Sequence, residues 1–417
     1  MEYERALRDL AYRHPITGVA NRRALEQRVA DELGSDRSFA VAFVDLDHFK
    51  RINDCLGYTT GDIVLAAAIA RMRPLVPARS LLAHFAGDVF GLVLVGLETD
   101  RAVDLVWRLL ARFTDPLYVA GHELRLSASA GIAFRDSAST VDWILSDADA
   151  ALTRAKAVRR GGVEVFTEAM RSDALDRLVM ENEFRGALQR DKLELHLQPV
   201  VRLATGEVDG HEALTRWTRP NGERVPPERF ISIAEDGGLI AEVGDWVLGR
   251  VVRLLAKGTT RRISVNLSPR ELLDPSLPGR VERLLAHSGI SGTQLCFEIT
   301  ETVVVENFEV ARASLHALRR LGCFVGLDDF GTGYSSLGYL RKLPIDFVKL
   351  DRALTADVDT DPQAALVGDS VVSLLHALSL VVVAEGIERQ GQLTAVTNMG
   401  CTFGQGWLLG HPEPAEI

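Results

Sequence analysis

Several common signals are missing from this chain. It has only four cysteines, Cys55, Cys296, Cys323 and Cys401, and no CxxC pair. That argues against a disulfide framework and against a cysteine zinc site. Cys296 and Cys323 sit in apolar, strand-like runs and read as reduced core residues. No uninterrupted apolar stretch reaches the length that spans a bilayer. The start, Met1-Glu2-Tyr3-Glu4-Arg5, has no signal-peptide pattern. A cytoplasmic protein with no membrane segment in this chain is expected. Positive charge is not in excess: the formal net charge is -10, which argues against general nucleic-acid binding. A local basic pocket for a phosphate ligand remains compatible with that balance.

What is present fits two domains, since 417 residues exceed one typical domain. One stretch organises the rest: Val325-Gly326-Leu327-Asp328-Asp329-Phe330-Gly331-Thr332-Gly333-Tyr334-Ser335-Ser336-Leu337. A short apolar run ends in two adjacent carboxylates and a glycine-rich loop. Neighbouring side chains on a strand point to opposite faces, so two consecutive Asp converge only where the backbone turns. Paired buried carboxylates repel unless protonated, hydrogen-bonded or bridged by cations. A divalent-metal site at a strand end is one reading; a solvated polar cap is the other.

The first half alternates strands and helices. An apolar strand over Ser38–Leu46 runs into Asp45-Leu46-Asp47-His48-Phe49-Lys50 and Ile52-Asn53-Asp54. Gly61-Asp62 opens a helix, Ala86-Gly87-Asp88-Val89 turns a hairpin, a strand is expected through Leu124–Phe134, and a helix over Ser146–Arg159 carries Lys156. With Thr17-Gly18 and Asn21-Arg22-Arg23 ahead of them, these pieces resemble a GGDEF domain, the diguanylate cyclase fold, over residues 11–167. The resemblance implies a nucleotidyl-cyclase-like α/β sheet. It also implies that Asp45 and Asp88 hold a phosphate-bridging metal, that Asn53 and Asp62 read guanine, and that Lys156 and Arg160 contact phosphate. These are chemically apt residue types. The hairpin departs from the pattern. Val89 stands where the family has the acid needed for cyclisation, Ala86 replaces a glycine, His84 replaces an arginine, and Pro77-Ala78-Arg79-Ser80 lacks the Arg-x-x-Asp product-inhibition motif. The domain is expected not to make cyclic di-GMP. It is either a GTP-binding regulator or a structural remnant. Residues 168–190 read as a connecting helix, with apolar residues at Leu175, Leu178, Phe184 and Leu188.

From 191 to 417, eight short strands alternate with amphipathic helices, which suggests a (β/α)8 barrel with its site at the strand C-termini. The candidate strands are Leu193–Val201, Val208–Arg216, Arg262–Ser268, Gln294–Thr300, Cys323–Asp328, Phe347–Asp351, Val381–Glu385 and Thr402–Leu408. They deliver Gln198, Glu212 with Leu214 and Arg216, Asn266, Glu298, Asp328 with Asp329, Lys349 with Asp351, Glu385 and Gln405. Any one of these is a polar strand end. Oxygen ligands on nearly every strand suit Mg²⁺ or Mn²⁺ over Zn²⁺.

With Glu212-Ala213-Leu214 and the organising stretch, this half resembles an EAL domain, a TIM-like cyclic di-GMP phosphodiesterase. The resemblance implies hydrolysis of cyclic di-GMP to linear pGpG with two ions per site. Glu212, Asn266, Glu298 and Asp328 would hold one ion. Asp328, Asp329 and Glu385 would hold the other, with Asp351 close by. Lys349 would steady the attacking hydroxide, with Glu212 and Glu385 counted among the catalytic groups. Arg216 would grip phosphate, and Gln198, Leu214 and Gln405 would line the cleft. Glu301, Gly331, Gly333 and Glu388 would couple the loop to a homodimer contact. A non-catalytic cyclic di-GMP receptor and a bifunctional protein with residual cyclase activity are the alternatives. The input is expected to be GTP, a partner, or a region outside these 417 residues.

Overall fold

The computed structural model describes residues 11–119, 121–300, 308–331 and 340–416. The chain divides into two units, Met1–Arg177 and Leu178–Ile417.

The first unit is built on a six-stranded sheet of β1 (Ala20–Asn21), β2 (Phe39–Leu46), β3 (Leu81–Ala86), β4 (Val89–Val95), β5 (Ala128–Phe134) and β6 (Val163–Val165), in the order β1-β3-β4-β2-β5-β6. β2 is central and buried along its whole length. Its side chains alternate between two cores by the period of a strand. Ala40, Ala42 and Val44 enter one core, and Phe39, Val41 and Phe43 the other. Helix α1 (Arg22–Leu33) packs on the second core, and α2 (Tyr58–Met72) with α3 (Thr99–Ala111) on the first. Helix α4 (Val141–Val158) lies so close to β5 that a Cβ on Gly131 would fall 2.0 Å from the Leu152 amide nitrogen.

The strand expected through Leu124–Phe134 is broken. His122–Leu124 pairs with Leu117–Val119 as a separate hairpin, and β5 begins only at Ala128. In the gap, Ser127 turns to Asp47: its carbonyl accepts the Asp47 amide at 2.9 Å and its hydroxyl donates to the Asp47 carboxylate at 2.8 Å. Helix α5 (Glu168–Gln189) contains the division between the units. Toward its start, Arg171 grips Asp147 bidentately at 2.6 Å. Further along, Phe184 stacks with Phe230 and meets Trp217 edge-on in the second unit's core. Leu175 and Leu178 are exposed, unlike Phe184 and Leu188.

The second unit is a closed eight-stranded barrel of β7 (Glu194–Arg202), β8 (Glu207–Thr218), β9 (Ile263–Leu267), β10 (Leu295–Thr300), β11 (Phe324–Phe330), β12 (Phe347–Leu350), β13 (Val381–Ala384) and β14 (Phe403–Gly404). β8 through β14 pair in parallel, while β7 runs antiparallel to both of its neighbours and closes the ring. The cause is local. Only four residues, with Gly206 at φ +72, join β7 to β8. A parallel crossover needs a dozen or more. β14 is shorter than the expected Thr402–Leu408 because the chain turns at Gly406, where the Leu409 and Gly410 amides bond back to its carbonyl. One hydrophobic cluster fills the shell between the strands and the surrounding helices.

Candidate active site

Lys349 on β12 is the centre of the barrel's C-terminal layer. Its side chain is almost fully buried. Its Nζ donates to Glu298 at 2.8 Å and Glu212 at 3.1 Å, and lies 2.8 Å from Glu385 and 3.3 Å from Asp328. Four strands thus converge on one ammonium. Burial opposes the Lys349 cation, but the summed field of Glu212, Glu298, Glu385 and Asp328 outweighs it and raises the pKa well above the ordinary lysine value.

The acids around it are more numerous than one cation neutralises. Burial, with Glu212 and Asp328 as like charges, pushes Glu298 up to about 8. Burial, with Asp328 and Glu212, pushes Glu385 up to about 7. Burial and then Asp328 and Asp351 raise Asp329. Glu212 goes the other way. Burial raises it, but Lys349 and bonds from Gln405 (2.8 Å) and Asn266 (2.7 Å) prevail and hold it down.

Two groups of acids bring ligand atoms within 4.8 Å of one another: Glu212, Glu298 and Asp328; and Asp328, Asp329 and Glu385. Asp328 is common to both. The two adjacent Asp converge because β11 carries an irregularity, not because it stops. Its register with β12 shifts between Leu327 and Phe330, and Asp329 takes φ +55. The donor set is hard oxygen, and the excess negative charge asks for cations. The residues present therefore fit divalent ions of the Mg²⁺ or Mn²⁺ kind.

The remaining expected residues take varied places. Asp351 caps the short helix Arg352–Thr355 through Ala353 N at 2.8 Å and belongs to neither acid group. Gln198 faces Glu212 across the β7–β8 pair and accepts from Gln405 at 3.0 Å. The Oε1 of Gln405 is buried without a partner, an acceptor left for a ligand or water. Leu214 and Arg216 follow Glu212 along β8, and Arg216 bonds the Thr215 carbonyl. Gly331 sits at φ +110 against Leu354, and Glu388 pairs with Arg352 at 3.0 Å. Glu301 and Gly333 lie outside the described residues. The cleft over the layer, about 240 Å³, is also lined by Arg352 and the exposed Trp407. Sequence reasoning did not single out these two. Their adjacency to Asp351 and Gln405 was the available signal.

Known proteins share this sequence pattern and fold. The family model "EAL domain" matches residues 181–412, and "Diguanylate cyclase, GGDEF domain" matches residues 11–161. The chain belongs to the GGDEF–EAL family. Among curated relatives, the "Bifunctional diguanylate cyclase/cyclic di-GMP phosphodiesterase MucR" of Pseudomonas aeruginosa is 36% identical over 99% of this chain and 62% of its own. The "Cyclic di-GMP phosphodiesterase NbdA" of the same organism is 36% identical over 98% of this chain and 54% of its own. The "Cyclic di-GMP phosphodiesterase PdeR" of Escherichia coli is 35% identical over 98% and 63%. The chain thus spans between about half and two-thirds of these relatives' lengths. Among solved structures, the "PaMucR Phosphodiesterase, c-di-GMP complex" matches at 35% identity and TM-score 0.54, covering 57% of this chain and 98% of that one. The GGDEF–EAL region of Vibrio cholerae LapD, at 19% identity, TM-score 0.66 and 98% coverage of both chains, shares the fold.

In the GGDEF half, Asp45 and Val89 are cross-strand partners, with the Gly87-Asp88 turn beside them. Lys156 reaches Asp45 at 2.6 Å, and Arg160 lies 3.6 Å from Asp47, so both expected phosphate contacts stand on acids here. Burial and Asp88 raise Asp45 against the pull of Lys156. Asp47 accepts from Ser127 and Ser129 as well, a structural anchor within the signature stretch. The Oδ1 of Asn53 is buried without a partner and sits where Gly61 would carry its Cβ, while Asp62 is exposed on α2, just past its first turn. His84 holds the turn through the Gly87 carbonyl at 2.8 Å and stacks on His14 with centroids 3.7 Å apart. Among the described residues, no helix is long and apolar enough to cross a membrane.

Proposed function

We propose that the EAL barrel hydrolyses one phosphodiester bond of cyclic di-GMP to give linear pGpG. The carrying observation is the buried Lys349 ammonium within hydrogen-bond reach of four carboxylates that also group as ligands. Relatives named as cyclic di-GMP phosphodiesterases, NbdA and PdeR, support the substrate class.

Glu212, Asn266, Glu298 and Asp328 would hold one divalent ion; Asp328, Asp329 and Glu385 would hold the second, with Asp351 behind. Bound ions would supply Lewis-acid polarisation of the phosphodiester and acidify the attacking water. Lys349, released from part of its carboxylate shell, would stand as a fixed positive charge against the charge developing on phosphorus. Glu385 would help take the proton. Arg216 would grip a phosphate oxygen, and Gln198, Leu214 and Gln405 would seat the nucleotide.

The GGDEF half would not cyclise GTP, because Val89 offers neither a ligand nor a proton acceptor. Its Asn53, Asp62, Asp45, Asp88, Lys156 and Arg160 would bind GTP and regulate the barrel. The working form would be a cytoplasmic homodimer through the EAL domain, with the Gly331 loop coupled to that contact. A monomer with full activity would overturn that coupling.

The test is to incubate the purified chain with cyclic di-GMP and Mg²⁺ or Mn²⁺ and to separate the products. Appearance of pGpG, abolished by Asp328→Asn, is expected. Binding without pGpG in either metal makes the protein a receptor instead.

A further inference from the structure

Beneath the acid layer, the barrel interior is unevenly filled. Two residues back along their strands from Glu212, Asn266, Glu298 and Asp328 stand Gly210, Ser264, Cys296 and Gly326. Inward positions recur every second residue, so these form the next layer down. All four are small. Barrel interiors of this kind are ordinarily filled by layers of bulky branched side chains. The Phe347 ring covers Gly326, where an added Cβ would fall 2.1 Å away. At Gly210 the backbone of the next strand closes in instead, with the Arg262 carbonyl 2.8 Å from where a Cβ would fall, and Ser264 and Cys296 complete the small side of the layer. A cavity of about 130 Å³ results, walled by these three with Val200, Phe347 and Phe403, reaching Glu298 and Lys349 from below and lined at its other end by Asp209, His211, Arg262 and Asp346. A cavity of about 150 Å³ is large enough to take up benzene.

The charges at the far end of this cavity are not balanced. Asp209 is shared by Arg202 at 2.6 Å, Arg262 at 3.3 Å and Arg261 at 3.9 Å. Arg319 pairs with Asp346 at 2.8 Å. Four guanidiniums therefore face two carboxylates. Two of the guanidiniums lie over rings that line the cavity: Arg262 over Phe324 at 4.5 Å and Arg202 over Phe403 at 4.8 Å. Arg262 itself lines the cavity, beside Asp209 and Asp346, and Arg202 stands behind the Phe403 wall.

We propose that this cavity is a second ligand site, separate from the cyclic di-GMP cleft, for a small aromatic carboxylate. The ring lies between Val200, Phe347 and Phe403, and the carboxylate meets Arg262 at the mouth. The proposal does not depend on whether the barrel is catalytic.

The test uses the full chain, free of divalent metal, with benzoate and toluene as probes, followed by calorimetry and thermal melting. Saturable binding of one benzoate per chain is expected, with toluene at least tenfold weaker. Arg262→Met should bring benzoate down to the toluene level while leaving toluene unchanged. Cys296→Met, which fills the cavity, should abolish both, and a cooperative melt verifies that it folds. Ser264→Val is the second filling variant if the first unfolds. Failure of benzoate to bind, or binding that survives filling, overturns the site and leaves a hydrated void. Equal binding of toluene and benzoate overturns the assignment to an acid.

Discussion

Lys349 and Glu298 act in the same direction with pH, because the folded protein holds each proton more tightly than the unfolded chain does. The Glu298 carboxyl is raised from 4.5 to about 8, chiefly by burial. A raised acid contributes stability that is complete below its unfolded pKa and is lost as pH climbs through the folded one. The metal-free barrel should therefore weaken between about pH 5 and pH 8, with Glu385 adding to the loss near 7. A divalent ion competes with those protons, so Mn²⁺ should raise the melting temperature more at pH 8.5 than at pH 6, with proton release on binding. Melts in both buffers check this; an equal shift at both would contradict it. Lys349→Ala should cost about 10²–10³ in turnover, the scale of losing one preorganised charge at a developing oxyanion.

Glu271, which belongs to neither acid group, offers a control. It closes a capping box with Ser268, and burial pushes it up to about 7. Glu271→Gln keeps that bond and removes the charge. The variant should gain on the parent as pH rises from 5 to 8, by up to about 3 kcal/mol in urea melts. At this scale the barrel positions were legible one by one, because each polar residue interrupts a short apolar strand. Their meeting at one rim was legible from the strand count, but the direct contact of four acids with Lys349 was not, since it depends on barrel closure. Nor was the pairing of Lys156 and Arg160 with Asp45 and Asp47.

The elements explain which parts of the fold could be read. Seven barrel strands alternate with helices, and the apolar runs marked them. The antiparallel β7 was hidden in the brevity of the link to β8, which is a hairpin length and not a crossover. The irregularity at Asp329 was hidden as well: an apolar run ending in Asp-Asp reads as a strand end, yet β11 continues to Phe330. In the GGDEF sheet, Gly131 is where α4 meets β5. A Cβ there would fall 2.0 Å from Leu152 N and 2.3 Å from the Ala148 carbonyl, both backbone atoms that cannot swing aside. Gly131→Ala should destabilise that unit by about 1–3 kcal/mol or more, the usual cost of overpacking. Denaturant unfolding followed by Trp143 fluorescence reads it, and an unchanged midpoint would show that α4 can shift.

At the scale of the molecule, the chain joins a GGDEF half with Val89 in its hairpin to an EAL half in which Glu212, Glu298, Asp328 and Glu385 surround Lys349. If GTP regulates, it must bind differently to two states of the barrel. Turnover of cyclic di-GMP should then rise with GTP and lose that response in Asn53→Ala. A rate indifferent to GTP would make the first half a scaffold. The most direct measurement follows ion occupancy and pGpG formation together as Mn²⁺ is titrated into the chain with saturating cyclic di-GMP. The expected result is that pGpG appears as the second ion per barrel binds, and that Lys349→Ala takes up both ions yet turns over at the reduced rate given above. Full occupancy by ions and nucleotide with no pGpG formed would contradict the account.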